Sequence, residues 1–324
     1  MTPLEKYVTR RFRPSIVFRQ GIGSCCECLP CGLGDWLWCK LWKWPLRHMR
    51  SVPPNVYIEP SASGGWNIMS GDIRFASSLP FYEWIGRIDR PLTIVAAGPS
   101  GRDYAWDQLL SGERMILAVN GAPTFLREVG LKPDLWIISD HTFIPSAALH
   151  FANAEGVPLA LTIPSAAWLA QNRSCELANR RITLIERVNQ WHGVSSLNVP
   201  ELLKLNRISG RPFLLSEISG AKSKVGWSHS PELGFFSGCT VVFAALQVAV
   251  GLGARDIEII GMDLSSSGRI YDEGDMPQPS VIEEQYDQFI LPAFELMAAA
   301  IKNSGVRIKN LSKVCPLPAK LFDR

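Results

Sequence analysis

Nowhere in the 324 residues do about 18 apolar residues run together, so the chain carries no segment that reads as a bilayer-spanning helix. It also lacks the uninterrupted apolar stretch and small-residue cleavage site of a secretory signal, which predicts a cytoplasmic protein. Charge is sparse: Asp, Glu, Lys and Arg make up 19% of residues against 47% hydrophobic. That balance excludes disorder over most of the chain and lets a protein of this length bury a large core. Histidine is scarcer still, with five residues and none after His229, so few imidazoles are available for acid–base work.

What charge there is falls unevenly. Residues 1 to 50 hold nine Lys/Arg against Glu5, Glu27 and Asp35, a local +6 in a chain whose total is +3, so the remainder is acidic by three. Nucleic acid is accordingly not an expected partner. Within the basic segment, Trp36, Trp38, Trp42 and Trp44 alternate with Lys40 and Lys43 and precede Arg47, His48 and Arg50. Indole rings at headgroup level and basic groups facing anionic lipid compose an interfacial anchor; the alternative is that these tryptophans cap the folded core.

Cys25, Cys26, Cys28, Cys31 and Cys39 crowd the same segment. Zinc at the first four is conceivable from their spacing, but structural sites draw two ligand pairs from separated knuckles, and no second Cys/His pair follows. Disulfides do not suit a reducing cytoplasm, and acylation or half-buried thiols are the other readings. The expected organisation is a basic Cys/Trp-rich membrane-associating segment over residues 1–55. A single Rossmann-like domain over 56–324 follows, with an acceptor-side insertion at 191–230, where Gly, Ser, Asn and Pro interrupt every period.

The fold class expected is α/β, a mostly parallel sheet flanked by helices. Leu92 to Ala97 reads as a buried strand turning at Gly98-Pro99-Ser100-Gly101 toward a helix over about Asp103 to Leu110. Met115 to Val119 ends at Asn120-Gly121, and Asp134 to Ile138 ends at Ser139-Asp140-His141. Strands are also expected near 56–58, 66–69, 159–163, 181–185 and 306–311, with a long helix over about 280–303 before the last. Around residues 235–273 the chain is most regular. Ser237-Gly238-Cys239-Thr240 opens an apolar helix that stops at Gly251-Leu252-Gly253, and Asp256 to Ile260 is a β-branched strand ending in Gly261-Met262-Asp263. Polar strand tips in a row predict one cleft at the carboxyl edge of the sheet, and a helix opening at Ser237-Gly238 is an anion site. The turn at Gly98 suits a phosphate, although it is neither a dinucleotide fingerprint nor a P-loop.

Gly98-Pro99-Ser100, Val119-Asn120-Gly121, Ser139-Asp140, Phe236-Ser237-Gly238 and Ile260-Gly261-Met262-Asp263, in this order, resemble the bacterial sialyltransferases that use a CMP-sugar donor and the related motility-accessory glycosyltransferases. The resemblance is closer to the lipopolysaccharide-core Kdo transferase family known as RfaZ or WaaZ, through Ala118 to Gly121, Leu233 to Ala249, Gly261 to Leu264, Arg269 to Glu273 with Met276-Pro277, and Asn310-Leu311-Ser312. It covers about 92–312. It implies metal-independent transfer of Kdo or a related ulosonic acid from its CMP derivative to a sugar of the lipid A–core oligosaccharide, at the cytoplasmic face of the inner membrane.

On that reading the donor is held by Gly98, Pro99, Ser100, Asn120, Gly121, Ser237, Gly238, Cys239, Thr240 and Tyr271. Sialyltransferases place a histidine downstream of the Gly-x-Asp strand, and this chain has none there. The acid–base candidates are therefore Asp140, His141, Asp263, Asp272 and Glu273. Two other classes stay open: a pterin diphosphokinase-like enzyme using ATP and magnesium, and a non-catalytic nucleotide-sugar sensor.

Overall fold

A computed structural model describes residues 47–53, 55–62, 64–81, 83, 88–178, 180–192, 195–210, 212–215, 225–266, 268–273 and 280–323. The four clustered tryptophans and Cys25, Cys26, Cys28, Cys31 and Cys39 lie outside them. The packed structure begins ahead of the expected boundary at residue 55: the turn Arg47–Ser51 puts Met49 into the core at 1% exposure, and Val52 follows it at 0%.

Three short strands, β1 (Val56–Pro60), β2 (Trp66–Ser70) and β3 (Ile73–Ser77), form an antiparallel meander. The chain then enters the main sheet through β4 (Leu92–Val95) and β5 (Met115–Val119), and α1 (Ala122–Glu128) leads to β6 (Leu135–Ile138). Next come α2 (Ala148–Asn153), β7 (Leu159–Leu161), α3 (Ile163–Asn172) and β8 (Ile182–Leu184). Helix α4 (Val199–Ile208) and the antiparallel pair β9 (Phe213–Leu215) and β10 (Gly226–Ser228) fall within residues 191–230. The last part comprises α5 (Val241–Gly251), β11 (Asp256–Ile260), α6 (Ile282–Gln285), α7 (Leu291–Ile301) and β12 (Arg307–Asn310).

The sheet is seven-stranded and parallel at every pairing, in the order β12-β11-β4-β5-β6-β7-β8. Alternation along each strand supplies two cores. Ile94, Leu117, Val119, Leu135 and Ile137 face α5 and α7, whereas Val95, Ile116, Ala118, Trp136 and Ile138 face α2, α3 and the meander. Helix α5 is buried from Val242 through Ala249, which its all-round apolar composition requires. It closes where Gly253 takes φ +109° and the Ala254 N–H donates to the Ala249 carbonyl at 3.0 Å.

Two helical expectations are corrected. The stretch expected as a helix over 103–110 is a pair of 3₁₀ turns, Pro99–Asp103 and Trp106–Leu109. The long helix expected over 280–303 is broken by a π turn, Tyr286–Ile290, ahead of Pro292, which has no N–H to continue the i→i−4 ladder.

Candidate functional site

Strands β4 to β8 are added in one direction across the sheet, and β11 then pairs on the other side of β4. The order reverses between β4 and β11, and in open α/β sheets ligands bind outside the carboxyl ends of the strands at such a point. The loops after β4, β5 and β11 meet there. Helix α5 ends at the amino edge of the sheet, where Asp256 starts β11, so its N-terminus and the preceding 237–240 loop lie at the same carboxyl edge.

Asp263 joins two of these loops. One carboxylate oxygen accepts from the Ser100 amide at 2.8 Å and the other from the Ser100 hydroxyl, and the residue is 3% exposed. The Gly98 N–H donates to the Gly261 carbonyl at 2.8 Å, and the Ser312 hydroxyl accepts from the Met262 N–H at 2.7 Å. A β-carbon at residue 98 would stand 2.4 Å from the Gly261 carbonyl oxygen and 2.6 Å from the Asp263 carboxyl carbon. This position must be glycine for the two strand tips to touch. Gly238, at φ +48°, faces inward, and a β-carbon there would lie 2.5 Å from the Phe243 ring. The helix itself starts later than expected, at Val241, with the Thr240 hydroxyl accepting from the Val242 N–H at 3.4 Å.

The loop 268–273 closes over the tips of β4 and β5. The Ile270 N–H donates to the Ala97 carbonyl at 2.7 Å, the Ile270 side chain is fully buried, and the Tyr271 ring covers Gly121. Burial, with Glu273 opposed by Arg269, raises the Tyr271 hydroxyl above its ordinary pKa. Behind Tyr271 stands His150, edge-on at 4.5 Å between ring centroids, its Nδ1 within 2.6 Å of the Thr124 hydroxyl. Burial lowers His150 to about 4, so it is a neutral support for Tyr271 at physiological pH. Asp272 is exposed, and Glu273 sits 3.9 Å from Arg269.

At the tip of β5, Asn120 holds φ +46° while its carbonyl accepts from the Trp136 indole at 2.7 Å. Its side-chain Oδ1 is buried with no hydrogen-bond partner among the described residues. The other non-glycine residues at positive φ among those described are Cys239, before α5, and Leu264, after β11. All three lie in carboxyl-edge loops, and strained backbone of this sort gathers at ligand sites.

Asp140 is exposed at the tip of β6 and caps the turn His141–Ser146, its Oδ1 accepting from the Thr142 N–H at 3.0 Å and the Thr142 hydroxyl at 2.8 Å. His141 turns instead into a cavity beyond β6. Burial lowers its pKa, opposed by Asp140 and assisted by Arg187, which leaves a neutral imidazole able to take a proton. Of the sequence candidates, the fold thus groups Gly98, Pro99, Ser100, Asn120, Gly121, Asp263 and Tyr271 around the switch point. Ser237 to Thr240 lie along the same edge, and His141 lines the neighbouring cavity beyond β6.

Two residues that support the site carry no motif. His150 lies on a short helix with no sequence signal. Gln247 had one: it is the single polar side chain in the apolar α5, and such a group must be satisfied internally. Its Oε1 accepts from the Ser228 and Phe236 amides at 3.1 and 3.0 Å, and its Nε2 donates to the Phe236 and Phe243 carbonyls at 2.8 and 2.9 Å, pinning the segment that enters the 237–240 loop.

The fold is that of a doubly wound α/β protein, with its switch point between β4 and β11. Comparison of sequences finds similarity to glycosyltransferases. The chain is 25% identical over 230 residues to the probable 3-deoxy-manno-octulosonic acid transferase of Escherichia coli K12, spanning 70% of this chain and 79% of that one. It is 24% identical over 248 residues to the probable 3-deoxy-manno-octulosonic acid transferase of Salmonella typhimurium LT2, spanning 75% and 89%. No protein-family model matches. Among solved structures, the MAf glycosyltransferase from Magnetospirillum magneticum AMB-1 aligns with TM-score 0.42 and 14% identity, over 72% of this chain but 35% of that longer one. The α-2,3-sialyltransferase Cst-I from Campylobacter jejuni aligns with TM-score 0.40 and 14% identity over 74% and 84%. No helix among the described residues is long and apolar enough to cross a membrane.

Proposed function

We propose that the chain is a glycosyltransferase that moves 3-deoxy-manno-octulosonic acid, or a related ulosonic acid, from its CMP derivative to a sugar of the lipopolysaccharide inner core. The observation that carries this reading is the Asn120 side chain: a buried, unpartnered Oδ1 at the switch point, on a residue held at φ +46°. A lone acceptor in that place calls for a ligand with an N–H or O–H donor, and CMP offers both in its cytosine amino group and ribose hydroxyls. The N-terminus of α5 supplies N–H groups and positive dipole for the single phosphate.

In the proposed reaction the bond between the anomeric carbon and the phosphate oxygen breaks as the acceptor oxygen bonds to that carbon. CMP leaves with the electron pair. The acceptor's proton passes to a neutral base, and His141 suits that role better than Asp263, both of whose oxygens are occupied by Ser100. The names of the two sequence relatives support the choice of sugar.

Calorimetry with CMP, and with ATP plus magnesium, tests the donor. Preferential binding of CMP, weakened about tenfold or more in Asn120→Ala, is expected, and preference for ATP with magnesium would favour the diphosphokinase reading instead. Turnover of CMP-activated 3-deoxy-manno-octulosonic acid with a lipid A–core acceptor separates an enzyme from a sensor.

A further inference from the structure

Beyond β6 the carboxyl edge of the sheet carries a second feature, a cavity of about 80 Å³ walled by the tips of β6, β7 and β8: Ser139, His141, Thr162, Glu186 and Arg187. It lies one to three strands along from Asn120, about 5–15 Å at the usual strand spacing. His48 and Ser51 of the first described turn, with Pro164, Gln190 and His192, complete the wall. Its centre is Glu186, 6% exposed. The Glu186 Oε1 accepts from the Ile163 N–H at 2.7 Å, whereas Oε2 has no hydrogen-bond partner among the described residues. Arg187 beside it is half-buried, with its Nη1 reaching Gln190 at 3.3 Å. Burial pushes the Glu186 carboxyl up to about 8, so near neutral pH it is a hydrogen-bond donor as well as an acceptor.

We infer that this cavity is the acceptor subsite, and that it takes a sugar bearing an acidic group, a carboxylate or a phosphate, paired with Arg187 while Glu186 and Ser139 bind its hydroxyls. The inference rests on the transferase reading above. Two things favour an acceptor over a second donor site. The wall offers neutral hydrogen-bonding groups and one guanidinium, which is the chemistry of an acidic sugar. His141 stands in the wall facing the cavity, where the proton of a bound hydroxyl would be released. The chain enters the described structure at Arg47, directly before His48 in this wall. His48 is clamped there, its Nε2 3.0 Å from the Trp191 carbonyl and its Nδ1 3.0 Å from the Ser196 hydroxyl.

Ligand-observed NMR with galacturonate, mannose 6-phosphate and mannose, with and without saturating CMP, tests the assignment on the full chain and on Arg187→Gln and Glu186→Gln. The expected result is binding of an acidic sugar that survives CMP, at least tenfold weaker in Arg187→Gln and severalfold weaker in Glu186→Gln, with CMP affinity unchanged in both. Preference for galacturonate or for mannose 6-phosphate identifies the acidic group. Equal weakness of all three sugars, displacement by CMP, or binding indifferent to both substitutions overturns the inference. Failure of the parent protein to bind CMP would sink the donor reading while leaving the sugar titration to stand by itself.

Discussion

The Tyr271 ring lies against the α-carbon of Gly121: a β-carbon at that position would fall 2.0 Å from Tyr271 Cε1 and 2.6 Å from its hydroxyl oxygen. The two residues are 150 apart in sequence, and their contact holds the 268–273 loop over the tip of β5. Gly121→Ala is therefore expected to push Tyr271 off the crevice. CMP affinity measured by calorimetry should fall at least tenfold while circular dichroism stays native, and unchanged affinity would show that the loop plays no part in holding the donor.

Asp263 is predicted to act as a clasp. Replacing it with Asn turns one of its two acceptor oxygens into an N–H donor, so one of its two bonds to Ser100 is lost in a site almost closed to water, and an orphaned buried group costs roughly 1–3 kcal/mol. Asp263→Asn should lower the melting temperature and CMP affinity together. A general base would instead lose turnover about 10²- to 10⁴-fold with affinity intact. Gly98→Val should resemble Asp263→Asn, and Gly238→Val should destabilise through Phe243, so neither glycine variant is expected to be a clean binding mutant.

Gln247→Leu leaves two amides and two carbonyls without their partner inside the core. At about 1–3 kcal/mol for each group that finds no water, the loss should reach several kcal/mol in chemical denaturation. A change below about 1 kcal/mol would mean that the segment around Phe236 relaxes without it.

Stability should depend on pH through two buried groups of opposite sign. Glu186 is raised from its ordinary 4.5 to about 8, so the folded state holds a proton that the unfolded chain loses, and its contribution is present below about 4.5 and lost as pH rises toward 8. His150 is lowered from 6.5 to about 4, so its contribution is present above 6.5 and lost as pH falls toward 4. Chemical denaturation across pH 4 to 9 should show Glu186→Gln flattening the alkaline side and His150→Gln the acid side. Parallel curves for parent and variants would contradict the assignment.

Deleting residues 1–46 should release the protein from anionic vesicles without abolishing CMP binding, since attraction is about 1 kcal/mol per basic residue near such a surface and the four tryptophans add apolar insertion. Co-sedimentation before and after deletion measures it, and equal sedimentation would remove this segment from the membrane contact.

The sequence makes legible the sheet's long strands, the buried helix of 241–251 and its glycine stop, and the polar strand tips. These follow from period, β-branching and turn residues, all of which act within a few neighbours. It was silent on β3, β9 and β10, which are short and stabilised by pairing rather than by composition, and it ran a helix through Pro292 where the backbone needs a π turn. Packing set how strands far apart in the chain are ordered, and with that which tips meet at the switch point. It paired β11 with β4, which turned Asp263 from a free carboxylate at a strand end into the partner of Ser100. It also set Glu186, unremarkable in sequence, at the centre of a cavity with His48, His141 and His192. The reason is physical: local propensity is legible over a few residues, whereas burial, pKa and the company a side chain keeps depend on contacts between residues a hundred or more positions apart.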